Sequence, residues 1–246
     1  MKAKLWLFLF PLLMCRCALA EPLDIVSEAW PPYIYEDRGQ LRGVDYEVTN
    51  RVLSQLGYQA RWRLMPWRRA LYNTSIGRAD AILDISPNPQ RRQEYIFSSE
   101  PLSISESVLF YRKDRPHRFT ELHDLKGLKV GVSAGYVYGN PEFMSADYFS
   151  REPTASAQAC LSMLMLGRID MVMMNKRAGL FTLRQLALED KIDHHPLVVS
   201  SGPLFLAFHQ TPELRQLSER FSIALSTFKG SNEYLQILQR YGLSER

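Results

Sequence analysis

The side chains best placed to contact a small molecule lie at the ends of predicted strands. Trp30 follows the predicted strand Leu23–Ser27, in a loop whose two prolines exclude both helix and ladder pairing. Asp84 lies near the end of another apolar run, and Arg91 follows it closely. A guanidinium holds a carboxylate through two parallel hydrogen bonds, and an aromatic wall covers an apolar ligand body. The alternative is that Trp30 packs in the core and that Arg91 is a solvated surface residue beside Arg92.

No group of residues has the spacing of a catalytic or metal-binding set. The histidines at 194–195 are adjacent, so they share neither a helix face nor a strand face. His117 and His123 lack cysteine or carboxylate partners at ligand spacing. An acid for proton transfer would have to be Asp84 or Glu28, and no motif marks either one. We therefore predict no catalytic residue, no metal and no cofactor.

A short repeat predicts the elements that hold these side chains. The sequence GRADAILD at 77–84 returns as GRIDMVMM at 167–174. Each copy follows an apolar helical run and opens an apolar run, which indicates a helix stopped by glycine and then a strand buried on both faces. Two such units predict two similar α/β lobes with a ligand cleft between them. Chance similarity of a short pattern is the alternative.

Hydrophobic periodicity extends this α/β pattern along the chain. The predicted strands lie at 23–27, 58–64, 79–85, 128–132 and 203–208, and the predicted helices at 46–56, 155–166, 178–188 and 213–241, with another after Pro66. The first elements follow the order β-α-β-α-β, which is typical of a parallel sheet.

The first twenty residues predict a cleavable secretory leader. A basic start at 1–4 precedes an apolar run at 5–14 that is too short to span a bilayer, and the alanines at 18 and 20 suit cleavage after Ala20. An uncleaved anchor is the alternative. Removal would lower the formal charge from +4 to +1, because three basic residues leave, so no argument for nucleic-acid binding remains. Only Cys160 would remain, which excludes an internal disulfide.

Seven short signals follow one another over the predicted mature chain, each weak by itself. They are WPPY at 30–33, GVDYE at 43–47, GRAD at 77–80, ISPNPQR at 85–91, FS at 97–98, DLKGLKVGV at 124–132 and YLQILQRYG at 234–242. In this order they resemble the periplasmic solute-binding proteins of family 3, which include the polar-amino-acid receptors of ABC transporters.

The resemblance implies an α/β, two-lobed periplasmic binding protein fold. Each lobe is a mainly parallel sheet flanked by helices, and the lobes close over the ligand by hinge motion. The implied divisions are a leader at 1–20, lobe 1 at 21–110, lobe 2 at 111–204 and the C-terminal helices of lobe 1 at 205–246. Crossing strands are expected near 109–111 and 204–206.

The resemblance also implies roles for single residues. Arg91 matches the arginine that holds the ligand's α-carboxylate. Ser86 matches a position whose hydroxyl and backbone face that carboxylate, although a turn serine is the alternative. Trp30 matches an aromatic wall and Trp67 an apolar pocket residue. Asp45 occupies the family's Gly-x-Asp position, where we expect it to cap the following helix.

Several positions depart from the family's amino-acid receptors and leave the ligand open. Asn175 stands where those receptors carry an aspartate for the ligand ammonium, and an amide loses that ion pair. Tyr136 and Val137 follow Gly135, where a threonine is usual, and line the predicted site with phenol and apolar surface. Asp84 stands where a small hydroxyl residue is common, and its charge can replace the missing aspartate. An α-amino acid and a carboxylate with an aromatic or apolar body therefore both fit.

We predict a monomeric, non-enzymatic binding protein of the periplasm that delivers a small carboxylate-bearing solute to an ABC permease. A module that signals to a membrane partner is an alternative, because no short motif separates the two roles. A dehydratase on the same scaffold is less favoured. Cyclohexadienyl dehydratases resemble this family but need a pocket carboxylic acid near the second-lobe strand, where this chain has NKRA at 175–178.

Overall fold

The computed structural model describes residues 22–243, so the predicted leader at 1–20 lies outside the described residues. The strands are β1 Leu23–Ser27, β2 Tyr35–Asp37, β3 Gln40–Arg42, β4 Ala60–Leu64, β5 Ala81–Ile85, β6 Ile96–Phe97, β7 Ser103–Arg112, β8 Lys129–Ser133, β9 Ser150–Thr154, β10 Met171–Asn175, β11 Ile192–His194 and β12 Ser200–Phe208. The helices are α1 Val44–Gln55, α2 Trp67–Ser75, α3 Pro89–Glu94, α4 Pro141–Ser145, α5 Ala157–Met165, α6 Lys176–Gln185, α7 Pro212–Lys229 and α8 Asn232–Arg240.

One mixed sheet runs through the molecule in the order β4-β1-β5-β12-β7-β10-β8-β9. Its two ends are parallel, since β1 pairs with β4 and β5, and β8 pairs with β9 and β10. The long strands β12 and β7 lie between these ends and run antiparallel to their neighbours. We call the β4-β1-β5 side lobe 1 and the β10-β8-β9 side lobe 2. The predicted two-lobed α/β fold is confirmed.

Each lobe has its own apolar core. In lobe 1, buried residues of β1 and β5 pack with α1, α7 and α8, and a smaller cluster forms around α2. In lobe 2, two clusters lie on opposite faces of β8 and β10, one of them under α5 and α6. Strand β7 adds Val108, Leu109 and Phe110 to the lobe 2 clusters. The predicted division at residues 110 and 204 stays a prediction.

The repeat at 77–84 and 167–174 has the same structural role in both lobes. Gly77 and Gly167 have φ angles of 74° and 66°, a left-handed conformation that ends the preceding helix. Asp80 then accepts a hydrogen bond from the backbone N of Asp24 on β1 at 2.7 Å. In lobe 2, Asp170 accepts from the backbone N of Lys129 on β8 at 2.8 Å. Each aspartate therefore fastens the strand that follows it to the first strand of its lobe.

Two details of the chain were not specified by the sequence patterns. The helical tail predicted at 213–241 consists of two helices, because the chain turns at Gly230 and Ser231 starts α8 by accepting a hydrogen bond from the backbone N of Tyr234. The hairpin of β2 and β3 was not predicted, since its strands have three residues each. Within residues 22–243, no helix is long and apolar enough to cross a membrane.

Candidate functional site

A cavity of about 200 Å³ lies between the lobes, beside β7 and β12. Its wall contains all eight residues proposed from the sequence: Trp30, Trp67, Asp84, Ser86, Arg91, Tyr136, Val137 and Asn175. Ligand pockets for drug-sized molecules commonly span about 300–1,000 Å³. A cavity of this volume therefore suits a smaller solute. The contact of each residue with a ligand stays a prediction.

Arg91 places a buried cation in this wall. Asn88 caps α3 by accepting a hydrogen bond from the backbone N of Arg91 at 2.7 Å, which fixes where the side chain begins. The guanidinium donates to the carbonyl oxygens of Ser86 at 2.8 Å and Gly135 at 3.2 Å. Burial lowers the pKa of Arg91, because the charged form loses hydration.

The Arg91 guanidinium keeps free hydrogen-bonding capacity. Among the described residues, no carboxylate lies within 4.0 Å of it, and two of its five N–H groups are used. The indole N–H of Trp67 is also buried, and it has no hydrogen-bond partner among the described residues. The centroid of the Trp67 ring lies 5.8 Å from the guanidinium carbon of Arg91. These groups form a donor surface that suits an anionic ligand atom.

An aromatic cage fills the centre of the cleft. Tyr136 of lobe 2 stands edge-on to Trp30 and Trp67 of lobe 1, with ring centroids 6.2 and 6.0 Å apart. Its hydroxyl donates a hydrogen bond to Glu28. A second cavity of about 440 Å³ shares Glu28, both tryptophans and Tyr136 with the first. The contact between Tyr136 and Glu28 therefore lies in the wall that the two cavities share.

Asn175 joins the two lobes. Its side-chain oxygen accepts a hydrogen bond from the backbone N of Ala178 at 2.9 Å and so caps α6. Its amide donates to the hydroxyls of Tyr33 at 3.1 Å and Ser105 at 3.0 Å. Asn175 lines the cavity, but its side-chain oxygen and both of its amide N–H groups already have protein partners. The oxygen therefore has little capacity left to accept a hydrogen bond from a ligand ammonium.

A bulge in β5 places Asp84 in the cavity wall. Between the pairs Ile82–Ala207 and Ile85–Phe205, β5 has one residue more than β12. Asp84 lies in this bulge with a φ of 61°, a left-handed conformation that costs about 1–3 kcal/mol for most non-glycine residues. The side chain is 6% exposed, and neither carboxyl oxygen has a hydrogen-bond donor within the described chain. Bulges of this kind redirect side chains beside binding sites.

The helix-capping role predicted for Asp45 is wrong. Gly43 is the N-cap of α1 and no side chain caps this helix, because Asp45 lies inside the first turn and points into the protein. It is 2% exposed, accepts a hydrogen bond from the Ser103 hydroxyl at 2.6 Å and lies against the carboxyl of Asp84. Burial raises the pKa of Asp45, and burial together with the Asp45 charge raises the pKa of Asp84 well above its ordinary value.

Asp84→Asn is expected to stabilise the ligand-free protein above neutral pH. The raised pKa means that folded protein keeps a proton that unfolded protein has already released, so the free energy of unfolding falls as the pH rises through this window. An amide donates to Asp45 without titrating, and asparagine tolerates the left-handed conformation. At pH 8 the gain should be about 1–3 kcal/mol, the usual cost of an unsatisfied buried group.

Urea unfolding of wild type and Asp84→Asn at pH 5 and pH 8 measures this effect. The difference between the two proteins should widen at the higher pH. A difference that is the same at both values would show that Asp84 does not carry the proton.

Glu28 was missed as a wall residue by the sequence analysis, which named it only as an acid without a motif. Burial raises the pKa of Glu28 against the opposing effect of its hydrogen bond from Tyr136. Its place two residues before Trp30, in the rigid loop after β1, was the available signal. The serines of β7 and β12 in the wall, among them Ser107 and Ser200, carry no sequence signal because their strands cross between lobes.

Within residues 22–243, no cluster of three or more potential metal ligands occurs.

Two α/β lobes on a shared sheet, with a lined cavity between them, define a small-molecule-binding protein of the two-lobed type. The model of the bacterial extracellular solute-binding proteins, family 3, matches residues 24–244. The chain belongs to this family.

Relatives and solved structures agree with that assignment. Over 158 residues the chain is 27% identical to the L-cystine-binding protein TcyJ of Escherichia coli strain K12. This match covers 61% of the chain and 57% of the relative, so it spans less than two thirds of the relative's length.

Three solved structures share the fold. An ancestral arginine-binding protein bound to arginine has a TM-score of 0.79 at 21% identity, covering 89% of this chain and 97% of that one. A histidine kinase sensor domain similar to periplasmic binding proteins has a TM-score of 0.80 at 21% identity, covering 90% and 96%. An ancestral amino-acid-binding protein described as a precursor of cyclohexadienyl dehydratase has a TM-score of 0.76 at 16% identity, covering 89% and 95%.

Proposed function

We propose that this protein captures a small carboxylate-bearing solute, with an α-amino acid as the best fit, by closing its lobes over the cleft. The buried Arg91 guanidinium, which has no carboxylate partner in the described chain, is the observation that carries the proposal. A buried cation is costly unless an anion compensates it. A ligand carboxylate is that anion, and a two-pronged contact also fixes its orientation.

Asp84 favours an α-amino acid over a simple acid. It is an unpartnered carboxyl in the same cavity wall as Arg91, so the cavity offers one group for a carboxylate and one for an ammonium. Apolar and aromatic surface from Trp30, Trp67 and Val137 surrounds the space for the ligand body. The name of the cystine-binding relative supports an amino-acid ligand.

Contacts across the cleft support a role for lobe closure. Arg91 of lobe 1 donates to Gly135 of lobe 2, and Tyr136 of lobe 2 donates to Glu28 of lobe 1. A ligand that engages both lobes adds to these contacts and favours the closed arrangement. We propose that the closed, loaded protein, acting as a monomer in the periplasm, delivers its solute to an ABC permease. Its similarity to a kinase sensor domain keeps signalling to a membrane partner as a second candidate.

A dehydratase is the third candidate. Asp84 is a buried carboxyl and Glu28 a half-buried one, and both have raised pKa values, which is what a general acid requires. Both belong to lobe 1, however, while lobe 2 places Asn175 at the end of β10. Turnover of a cyclohexadienyl substrate, followed through the absorbance of its aromatic product, would favour this candidate over binding alone.

A thermal-shift screen tests the proposed ligand class. The panel pairs each of the twenty common L-amino acids with its deaminated acid, and adds small sugars as a class without a carboxylate. A ligand at about one hundred times its dissociation constant adds about 2.7 kcal/mol to the free energy of unfolding. We expect stabilisation by one or more amino acids and none by sugars. Stabilisation by sugars alone would contradict the proposal.

Tryptophan emission gives an independent measure in the same screen. Trp30 and Trp67 both contact Tyr136 in the cleft, so a ligand that moves Tyr136 should shift their emission. Trp62 lies on β4, stands edge-on to Tyr46 of α1 and should stay constant. A Trp62→Phe variant should therefore show the same ligand-induced shift as wild type.

A further inference from the structure

Two buried carboxyls lie against each other behind the cleft. Asp84 is 6% exposed and Asp45 is 2% exposed, and the two carboxyl groups interact with each other. Carboxylate oxygens only accept hydrogen bonds. Within residues 22–243, neither oxygen of Asp84 receives a hydrogen bond from any other group. The contact is therefore a hydrogen bond only if one of the two carboxyls keeps its proton.

The groups around the pair differ on its two sides. On the Asp45 side, Ser103 of β7 donates a hydrogen bond, and Lys229 of α7 and Arg177 of α6 contribute positive charge. Lys229 itself donates to the Glu100 carboxylate and to the Pro101 carbonyl at 2.6 Å each. Asp45 therefore has charges and a donor that favour its ionised form.

Within residues 22–243, no such compensation reaches Asp84. Among these residues, the ionisable groups that face it are Asp45 of α1, the Tyr33 phenol from the loop after β1 and the Tyr136 phenol from the loop after β8. None of the three is a cation. Two like charges in contact in a buried site cannot both ionise at ordinary cost. The proton therefore belongs on the Asp84 side, which is the side that faces the ligand cavity.

We propose that Asp45 and Asp84 share one proton in the ligand-free protein, and that a ligand ammonium bound at Asp84 displaces this proton to solvent. The charges balance: one cationic group enters beside Asp84 and one proton leaves the pair. Asp45 acts as a positioning residue, because its negative charge keeps on Asp84 the proton that the ammonium must replace. This inference rests on the proposed function, since it requires an amine-bearing ligand.

Two consequences separate amine ligands from deaminated acids. Because proton release and amine binding are coupled reciprocally, affinity for an α-amino acid should rise by up to about tenfold per pH unit for as long as the ligand-free pair holds its proton. A deaminated acid brings no ammonium and should release no proton at this site. The protein would thus select for the amine more strongly as the pH rises.

The first experiment tests, without any ligand, whether Asp45 and Asp84 share a proton. Carboxyl-carbon NMR of aspartate-labelled protein is followed from pH 4 to pH 9 in wild type, Asp45→Asn and Asp84→Asn, with the exposed Asp190→Asn as matched control. We expect one wild-type aspartate to stay protonated at neutral pH. In Asp45→Asn this titration should move to lower pH, because the amide donates to Asp84. Two wild-type carboxyls that are both ionised at pH 6 would overturn the proposal.

Calorimetry with the amino acid found by the screen tests the coupling. Titrations at one pH in phosphate and in Tris, buffers with different ionisation enthalpies, give the number of protons released. Wild type and Asp190→Asn should release up to one proton with the amino acid and none with its deaminated acid. Asp45→Asn should bind the amino acid with a smaller release. Binding without proton release in wild type would refute the coupling, whereas failure of every amino acid to bind would refute the proposed function and leave the NMR result standing.

Discussion

Replacing Arg91 by methionine should weaken binding of any carboxylate ligand by about 2–5 kcal/mol, which is roughly 30-fold to 4,000-fold in dissociation constant. Methionine keeps an unbranched apolar stem of comparable length but has no N–H donor. The ligand carboxylate would then lie in a buried cleft without its cation, and an unpaired buried charge is costly. The fold should not suffer, since the change removes a buried cation that has no carboxylate partner within residues 22–243.

Isothermal calorimetry on Arg91→Met, Arg91→Lys and Arg92→Met measures this loss. Arg92 is the matched control, because it is the exposed neighbour on α3 and its guanidinium lies over Phe97. Arg91→Lys keeps the charge but loses the planar fork, so its affinity should fall between those of wild type and Arg91→Met. Equal affinity of Arg91→Met and wild type would show that Arg91 only braces the lobes through Ser86 and Gly135.

Asn175→Asp should raise the affinity for an α-amino acid relative to its deaminated acid. The new negative charge lies in the cavity wall. The attraction between this charge and a ligand ammonium about 4 Å away would be between about 1 kcal/mol in water and about 4 kcal/mol near a protein surface. That range corresponds to about 5-fold to 1,000-fold in relative affinity. The fold should tolerate the change, because aspartate also caps a helix and the hydroxyls of Tyr33 and Ser105 can turn to donate to it.

Paired titrations with the amino acid and its deaminated acid provide the measurement. Asn232→Asp makes the same change of charge at an exposed position at the start of α8 and should leave the preference unaltered. Wild type already has Asp84 for the amine, so Asp84→Asn should weaken the preference. A wild-type preference for the amine that survives Asp84→Asn would contradict our assignment of both residues.

The sequence was sufficient for the elements that local patterns specify. The strands β5 and β10 were predicted from their repeated apolar runs, because a strand buried on both faces has a distinct composition. The wall residues proposed from the family signals, such as Arg91 and Trp67, line one cavity as a group. These residues lie at strand ends or helix starts, where the order of strands and helices along the chain determines their position in the fold.

Features that depend on distant contacts were not predictable. The role of Asp45 was misassigned, because a carboxylate after a glycine looks like a helix cap until β7 and β5 are placed against it. The bulge at Asp84 depends on the pairing of β5 with β12, more than a hundred residues later in the chain. The contact of Glu28 with Tyr136 likewise joins two lobes, and no local pattern encodes it.

Strand β12 and helix α7 give the protein an order of assembly. The core that contains Ile25 and Val52 is completed by Phe208, Phe221 and Leu225, which pack in the same cluster and come late in the chain. A chain made from its N-terminus therefore has all of β8–β10 available for lobe 2 before lobe 1 receives its last strand and helix. Until then the residues of β1 and α1 that pack in this core keep apolar surface exposed, which makes the unfinished chain prone to aggregation.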